Sequence, residues 1–167
     1  MKLICLDVHY RDLDATAAGV VFYHWTDASP HLELTTTISP IAAYESGNFY
    51  RRELPCLQAI LDLISDPLDV ILVDGFVWLD HGAPGLGGHL YAALNQTIPV
   101  VGVAKTKFLG ATSVVEVFRG TSKTPLYISA AGIELAEAAQ AIQHMHGPYR
   151  IPTLLKRVDQ LSRKTSG

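Results

Sequence analysis

This chain is poor in the patterns that most directly disclose a function. It has only two cysteines, Cys5 and Cys56, with no CxxC and no Cys/His spacing suited to zinc, so both read as reduced core residues. Its seven histidines form no HExxH and no His-x3-His pair, which argues against a histidine metal centre. The glycine-rich stretch Gly82 to Gly88 contains neither GxxxxGK[ST] nor a well-placed GxGxxG, and no GxSxG occurs; a phosphate-cradling nucleotide loop and a serine-hydrolase elbow are both disfavoured. No apolar run reaches the roughly 18 residues that a bilayer requires, and Met1-Lys2-Leu3-Ile4-Cys5-Leu6-Asp7 is charged too early for a secretory leader. A net charge of -3 speaks against a broadly basic nucleic-acid coat, although a local positive groove beside a metal stays open. The expectation is a cytoplasmic globular protein with one domain over residues 1–167.

What is present is a chain with 49% hydrophobic residues, arranged in short periodic segments. Leu3 to Leu6 reads as a buried strand, Thr16 to Thr26 and His31 to Ile38 as two more, and the turn cluster Asp27 to Pro30 joins the latter pair. Short connections between the three predict an antiparallel meander. A loop from Ser39 to Asn48 leads to a helix from Pro55 to Ser65, with Pro55 at the first helical position. Val70 to Val73 is an uninterrupted apolar strand, the glycine-rich stretch feeds a short helix His89 to Asn95, and Pro99 to Ala104 is another buried strand. Ser113 to Phe118 and Leu126 to Ser129 are short strands joined by the polar turn Arg119 to Thr124. Helices follow over Ile133 to His146 and from Pro152 to about Arg163. The order gives an α/β fold: a mixed sheet with the meander on one side and parallel crossovers on the other, flanked by helices.

Acids sit at telling places in that order. Asp7 ends the first apolar run and Asp74 ends the mid-chain run, so if those strands are parallel neighbours their carboxylates converge at one sheet edge. Such a pair costs several kcal/mol in repulsion and lost hydration unless a proton or cation compensates, and a divalent metal is the natural compensator. Either acid alone is explained by the commoner job of capping a turn. Glu53, just before the expected helix start, could project toward the same edge or simply face the positive helix terminus. Lys105 follows the strand Val100 to Ala104 and could stabilise charge on a phosphoryl group, though an exposed strand-end lysine is favoured on spacing alone. Asp159 on the last helix has a face that periodicity does not settle; a solvated pair with Lys156 or Arg163 is the default. His81 and His89 flank the glycine-rich stretch and could line a pocket.

Taken together, these segments resemble the endonuclease V family. The resemblance rests on the ordered set Leu6-Asp7-Val8-x-Tyr10, Tyr44-x-x-Gly47, Arg52-Glu53-x-Pro55, Val73-Asp74-Gly75, Gly85-x-x-x-His89-Leu90, Pro99 to Lys105 and Arg150-x-Pro152, which covers nearly the whole chain. It implies a ribonuclease-H-like fold and a magnesium-dependent endonuclease, with manganese as substitute, that cleaves DNA or RNA near deaminated, inosine-type bases in repair. By similarity Asp7, Glu53 and Asp74 match metal-binding acids, Lys105 the active-site lysine and Tyr44 the strand-separating wedge. Gly47, Gly75 and His89 fall in the substrate-binding motifs. Asp159 stands where the family usually has histidine, and a carboxylate there would complete the metal site.

Two departures bear on specificity. The family's Pro-Tyr-Ile-Pro wedge is replaced by Ala43-Tyr44-Glu45-Ser46, which lacks both prolines. The usual Asp-Gly-x-Gly-x-x-His-Pro-Arg run becomes Asp74-Gly75-Phe76-Val77-Trp78 and onward, without the second glycine or the arginine, so the base pocket is reshaped. Two rival readings follow: a non-catalytic nucleic-acid-binding module on the same fold with a drifted site, and a small-molecule phosphatase that shares the metal but not the wedge.

Overall fold

Alternation of apolar and small residues along the early strands sets the architecture. The computed structural model describes residues 1–39 and 50–164. Strands β1 (Leu3–Arg11), β2 (Asp14–Phe22) and β3 (Leu32–Ile38) form the expected antiparallel meander. Beyond them come α1 (Tyr50–Leu61), β4 (Val70–Asp74), α2 (Leu86–Ala93), β5 (Val100–Ala104), β6 (Val115–Val117), β7 (Leu126–Ala131), α3 (Leu135–Gln143) and α4 (Thr153–Arg163). The seven strands make one sheet in the order β3-β2-β1-β4-β5-β7-β6. Only β1-β4 and β4-β5 are parallel; β7 returns antiparallel to β5 and forms a hairpin with β6. Parallel crossovers are thus confined to the centre of the sheet.

Each face of the sheet carries its own core, as period-2 alternation requires. Leu3, Cys5, Leu72, Val101, Val103 and Ile128 pack under α3 and α4, against Ala138, Ile142, Leu154 and Val158. Ile4, Leu6, Ile71, Val73 and Val100 pack on the other face against Leu57 and Ile60 of α1 and Leu86 and Leu90 of α2. Both cysteines are free and buried, as their isolation in the sequence predicts.

Several boundaries differ from the sequence expectation, each for a local reason. Asp7 does not end its strand: β4 pairs with β1 only as far as Leu6↔Val73, whereas β2 pairs with it down to Arg11↔Asp14. The apolar run marks the doubly covered half of β1, and the strand continues with one neighbour. Strand β2 stops before Tyr23 because the Asp27 carboxylate accepts the N–H groups of Tyr23 and His24 at 2.9 and 3.0 Å, which draws the backbone out of the ladder. Pro55 lies inside α1, not at its start, so Glu53 belongs to the first turn of the helix. Leu86, Gly87 and Gly88 are already helical, where a loop was expected. A Cβ on Gly88 would come within 2.6 Å of the Val77 carbonyl oxygen, so this glycine serves close helix-to-loop contact rather than flexibility. Arg119, placed in a polar turn by the sequence, is 5% exposed and donates to the carbonyls of Met145, Gly147 and Tyr149 at 2.5, 3.0 and 2.7 Å. Its planar fork satisfies the carbonyls of an irregular segment that no strand or helix could satisfy.

Candidate functional site

Strand register creates the site. Because Leu6 pairs with Val73, Asp7 and Asp74 emerge at the same level immediately beyond the parallel ladder. Asp74 in turn pairs with Val103, which puts Lys105 two residues further along the adjoining strand. Cys5, Leu72 and Val103 belong to the core under α4, and alternation sends Asp7, Asp74 and Lys105 toward that same face. A cleft there is lined by Leu6, Asp7, Asp74, Lys105, Leu155 and Asp159, among others. The cleft has an open volume of about 340 Å³, part of it continuous with solvent.

Helix α4 closes the cleft. Its apolar stripe of Leu154, Val158 and Leu161 lies on the sheet and rotates Asp159 to the rim, settling a face that periodicity left open. Ser162, fully buried, donates its hydroxyl to Asp7 Oδ2 at 3.1 Å. The sequence reading missed this residue, because a lone helical hydroxyl shows its partner only once the helix is docked on the sheet. Asp159 also pairs with Arg163 Nε at 3.0 Å, so the helical ion pair expected by default and the cleft position are both realised. On the opposite face, α1 brings Glu53 toward the same strand ends, and Arg52 stacks its guanidinium 3.7 Å from the centre of the Tyr10 ring.

The electrostatics are those of crowded acids. Burial pushes the Asp7 carboxyl up to about 7, helped by its hydrogen bond with Asp159 and the charge of Asp74, while Ser162 opposes the shift. Glu53 is likewise pushed up to about 7, first by burial and then by the charges of Asp7 and Asp74. Asp159 is held below the usual carboxylate range: burial raises it, but Arg163 and the contact with Asp7 outweigh burial. Lys105 Nζ stands 3.6 Å from Asp74 Oδ2, and the Lys105 carbonyl is held by the Arg150 guanidinium, which also donates to Pro125 at 2.7 Å. Among the described residues no three His, Cys, Asp or Glu side chains form a finished ion cage; Asp7 and Glu53 are near enough to neighbouring acids for their proton affinity to rise without the group closing into one.

The remaining expected site residues are placed as follows. Gly75, at φ +126°, turns the chain away from Asp74 in a conformation that favours glycine. His89 stacks on Tyr50 with ring centroids 3.6 Å apart, joining α2 to α1, and burial lowers its proton affinity. Tyr44 and Gly47 lie outside the described residues.

Comparison with known proteins gives this arrangement a lineage. The Endonuclease V family profile matches residues 2–123. The chain belongs to the Endonuclease V family. It is 27% identical to the Endonuclease V of Streptomyces avermitilis over 180 aligned positions, covering 95% of this chain and 78% of that protein. The crystal structure of that bacterial enzyme superposes with a TM-score of 0.76 at 25% identity, covering 98% of this chain and 80% of the other. The fold is shared with the Ciona intestinalis Endonuclease V solved with a 24mer DNA containing an inosine followed by a ribo-adenosine (TM-score 0.82, 20% identity, 97% and 84% covered). Human ENDOV shares it as well (TM-score 0.78, 24% identity, 97% and 82% covered). Membership of the Endonuclease V family makes this chain one of a family of nucleases. No helix among the described residues is long and apolar enough to cross a membrane.

Proposed function

We infer that this protein is a divalent-metal-dependent endonuclease that cleaves a phosphodiester bond in DNA or RNA near deaminated, inosine-type bases, as a repair enzyme of the cytoplasm. The observation that carries the reading is the convergence of Asp7, Asp74, Asp159 and Lys105 on one small cleft, with Glu53 near enough to feel two of those charges. A donor set of carboxylate oxygens without histidine or thiolate suits a hard cation, Mg²⁺ or Mn²⁺ in its place. The raised proton affinity of Asp7 and Glu53, owed first to burial and then to neighbouring acids, fits such an ion, since a positive charge favours the ionised carboxylates that burial and repulsion disfavour.

In this reading Asp7, Asp74, Glu53 and Asp159 hold the ion. Once bound, it supplies Lewis acidity for activating water and neutralising phosphate charge. Asp7 and Glu53 must shed their protons to take part, and Ser162 fixes the orientation of Asp7 as it does so. Lys105, anchored through its carbonyl by Arg150, presents an ammonium to the oxygen that gains charge as the ester breaks. Tyr44 would part the strands, while Gly75, Gly47 and His89 belong to the substrate side. Support for inosine comes from family membership, and Phe76, Val77 and Trp78 give this chain its own version of the base pocket. The Ciona intestinalis Endonuclease V that shares this fold was solved bound to a DNA containing an inosine.

The test is nicking of inosine-, uracil- and abasic-containing single and double strands in Mg²⁺ or Mn²⁺. Wild type should cut preferentially near inosine, and Asp74→Ala should lose roughly 10²–10³-fold or more of the rate. Equal behaviour of the two proteins on every substrate would end the enzymatic reading. The departures in the wedge and base pocket favour, as a second reading, a non-catalytic nucleic-acid-binding module.

A further inference from the structure

A net charge of -3 hides a segregation of charge over the fold. Asp62, Asp66 and Asp69 lie between α1 and β4, at the end of β4 away from Asp74, and Glu134 and Glu137 stand at the start of α3. Helix α4 carries the opposite sign. Its residues Leu154, Val158, Leu161 and Ser162 are buried, which leaves Lys156, Gln160, Arg163 and the capping residue Lys164 as a solvent-facing stripe at the i, i+4, i+7, i+8 spacing of one helix face. No acid interrupts that stripe. Asp159 borders it on the side of the cleft, so Lys156 stands one turn before this acid and Arg163 one turn after it.

The stripe is held in place by contacts that leave its lysines available. Arg157, on the flank of the helix, is taken by the Glu33 carboxylate of β3 at 2.7 and 3.1 Å, a bidentate pair that pins α4 to the meander. Arg11, four residues beyond Asp7 on β1, donates to the carbonyls of Lys164 and Arg163 at 2.8 and 3.4 Å. Its guanidinium thus sits where unpaired carbonyls would otherwise give the helix a negative end. Arg163 reaches Asp159, yet its side chain is 59% exposed. Among the described residues Lys156 and Lys164 have no acidic partner. Lys156 and Arg163 are about 10 Å apart along the helix axis, close to three steps of about 3.4 Å along one strand of a duplex. The apolar face of α4 is already packed on the sheet, so the helix has none left to sink into a lipid surface.

Building on the proposed nuclease function, we propose that the outer stripe of α4 is a phosphate track, on which Lys156, Arg163 and Lys164 hold the substrate backbone to either side of the phosphate that reaches the acidic cleft. Crowded carboxylates repel a polyanion, and cations flanking them on the same helix offset that repulsion where the strand must approach. Contacts to phosphate carry no sequence information. The track therefore contributes binding strength and strand placement equally to strands with and without a deaminated base.

Equilibrium binding across a range of salt concentrations tests this on duplexes with and without inosine, in the absence of divalent ion so that no strand is cut. Each lysine paired with a phosphate adds about 0.9 to the slope of log affinity against log salt. Lys156→Gln combined with Lys164→Gln should flatten the slope by roughly 1.8 and weaken both duplexes by the same factor. Gln160→Lys should steepen it by about 0.9, a gain that no loss of folding imitates. Thermal midpoints should match wild type, because all three side chains stand in solvent. Slopes that these substitutions leave unchanged, a loss confined to the inosine duplex, or no binding of either duplex by wild type overturns the track. Anionic phospholipid vesicles that displace the duplex at equal phosphate concentration overturn it too, by assigning the stripe to a lipid surface. The nuclease reading stands or falls separately, on metal-dependent nicking by wild type against Asp74→Ala.

Discussion

Asp7 is the residue on which most of the local physics turns. It is partly buried beside two other acids, and its proton is retained to about pH 7, as is that of Glu53. A carboxyl that binds its proton more tightly in the fold than in the unfolded chain stabilises the fold below its unfolded value, near 4, and loses that contribution as pH rises through about 7. Metal-free protein should therefore unfold at a higher temperature at about pH 5.5 than at about pH 8. Asp7→Asn should remove much of that dependence and stabilise the metal-free protein at the higher pH by on the order of 1–2 kcal/mol, because Ser162 keeps an oxygen to donate to while the charge disappears. Thermal scans of both proteins across pH check this. A slope of opposite sign in metal-free wild type would mean that the acids are not crowded as described. At this scale the acids themselves were legible, because each interrupts or follows an apolar run. Ser162 was not, since one hydroxyl in a helix carries no periodic signal until its neighbour across the sheet is known.

Elements show where local pattern and tertiary packing part company. Reading Pro55 as a helix start follows from the usual preference, but helix α1 begins earlier because Tyr50 stacks on His89 of α2 and anchors a turn ahead of the proline. Glycines at 82–88 read as loop because propensity says so, yet two of them are helical because Val77 crowds that helix. The same logic operates at Gly102 in the middle of β5. A Cβ there would stand 2.6 Å from the Gly75 carbonyl oxygen, 2.8 Å from Ser129 Oγ and 3.0 Å from the Val77 nitrogen. Ser129 Oγ accepts the Val77 N–H at 2.9 Å, so an added methyl would wedge apart the very contact that seats the 75–77 turn on the sheet. Gly102→Ala should cost about 2–3 kcal/mol by urea unfolding, and it should weaken metal binding as well, since Asp74 precedes that turn. An unaltered midpoint in urea would show that the turn is not tied to β5.

The whole molecule joins a largely legible fold to a site whose assembly depends on long-range pairing. Element order, the meander and the α/β class follow from periodicity because each strand and helix announces itself locally. Asp7, Asp74 and Asp159 are far apart in the chain, and only the parallel register and the docking of α4 bring them to one cleft. Strand ends suggested the convergence of Asp7 and Asp74 on condition of a parallel pairing, whereas the inclusion of Asp159 rested on resemblance to a family. This distinction separates an enzyme from a binding module with a drifted site, and titration with Mn²⁺ resolves it without assuming any substrate. An ion that binds the folded chain and not the unfolded one stabilises it by about 2.7 kcal/mol at a hundred times its dissociation constant, equivalent to a rise of roughly 5–10 °C in the thermal midpoint for a chain of this size. Wild type should show such a rise near neutral pH, and it should shrink as acid reprotonates Asp7 and Glu53, opposite in sign to the trend of the metal-free protein. Asp74→Ala and Asp7→Asn should abolish it. A wild-type midpoint indifferent to Mn²⁺ at every pH would leave the acids as crowded neighbours with no ion to hold, and the drifted-site module would then be the better description.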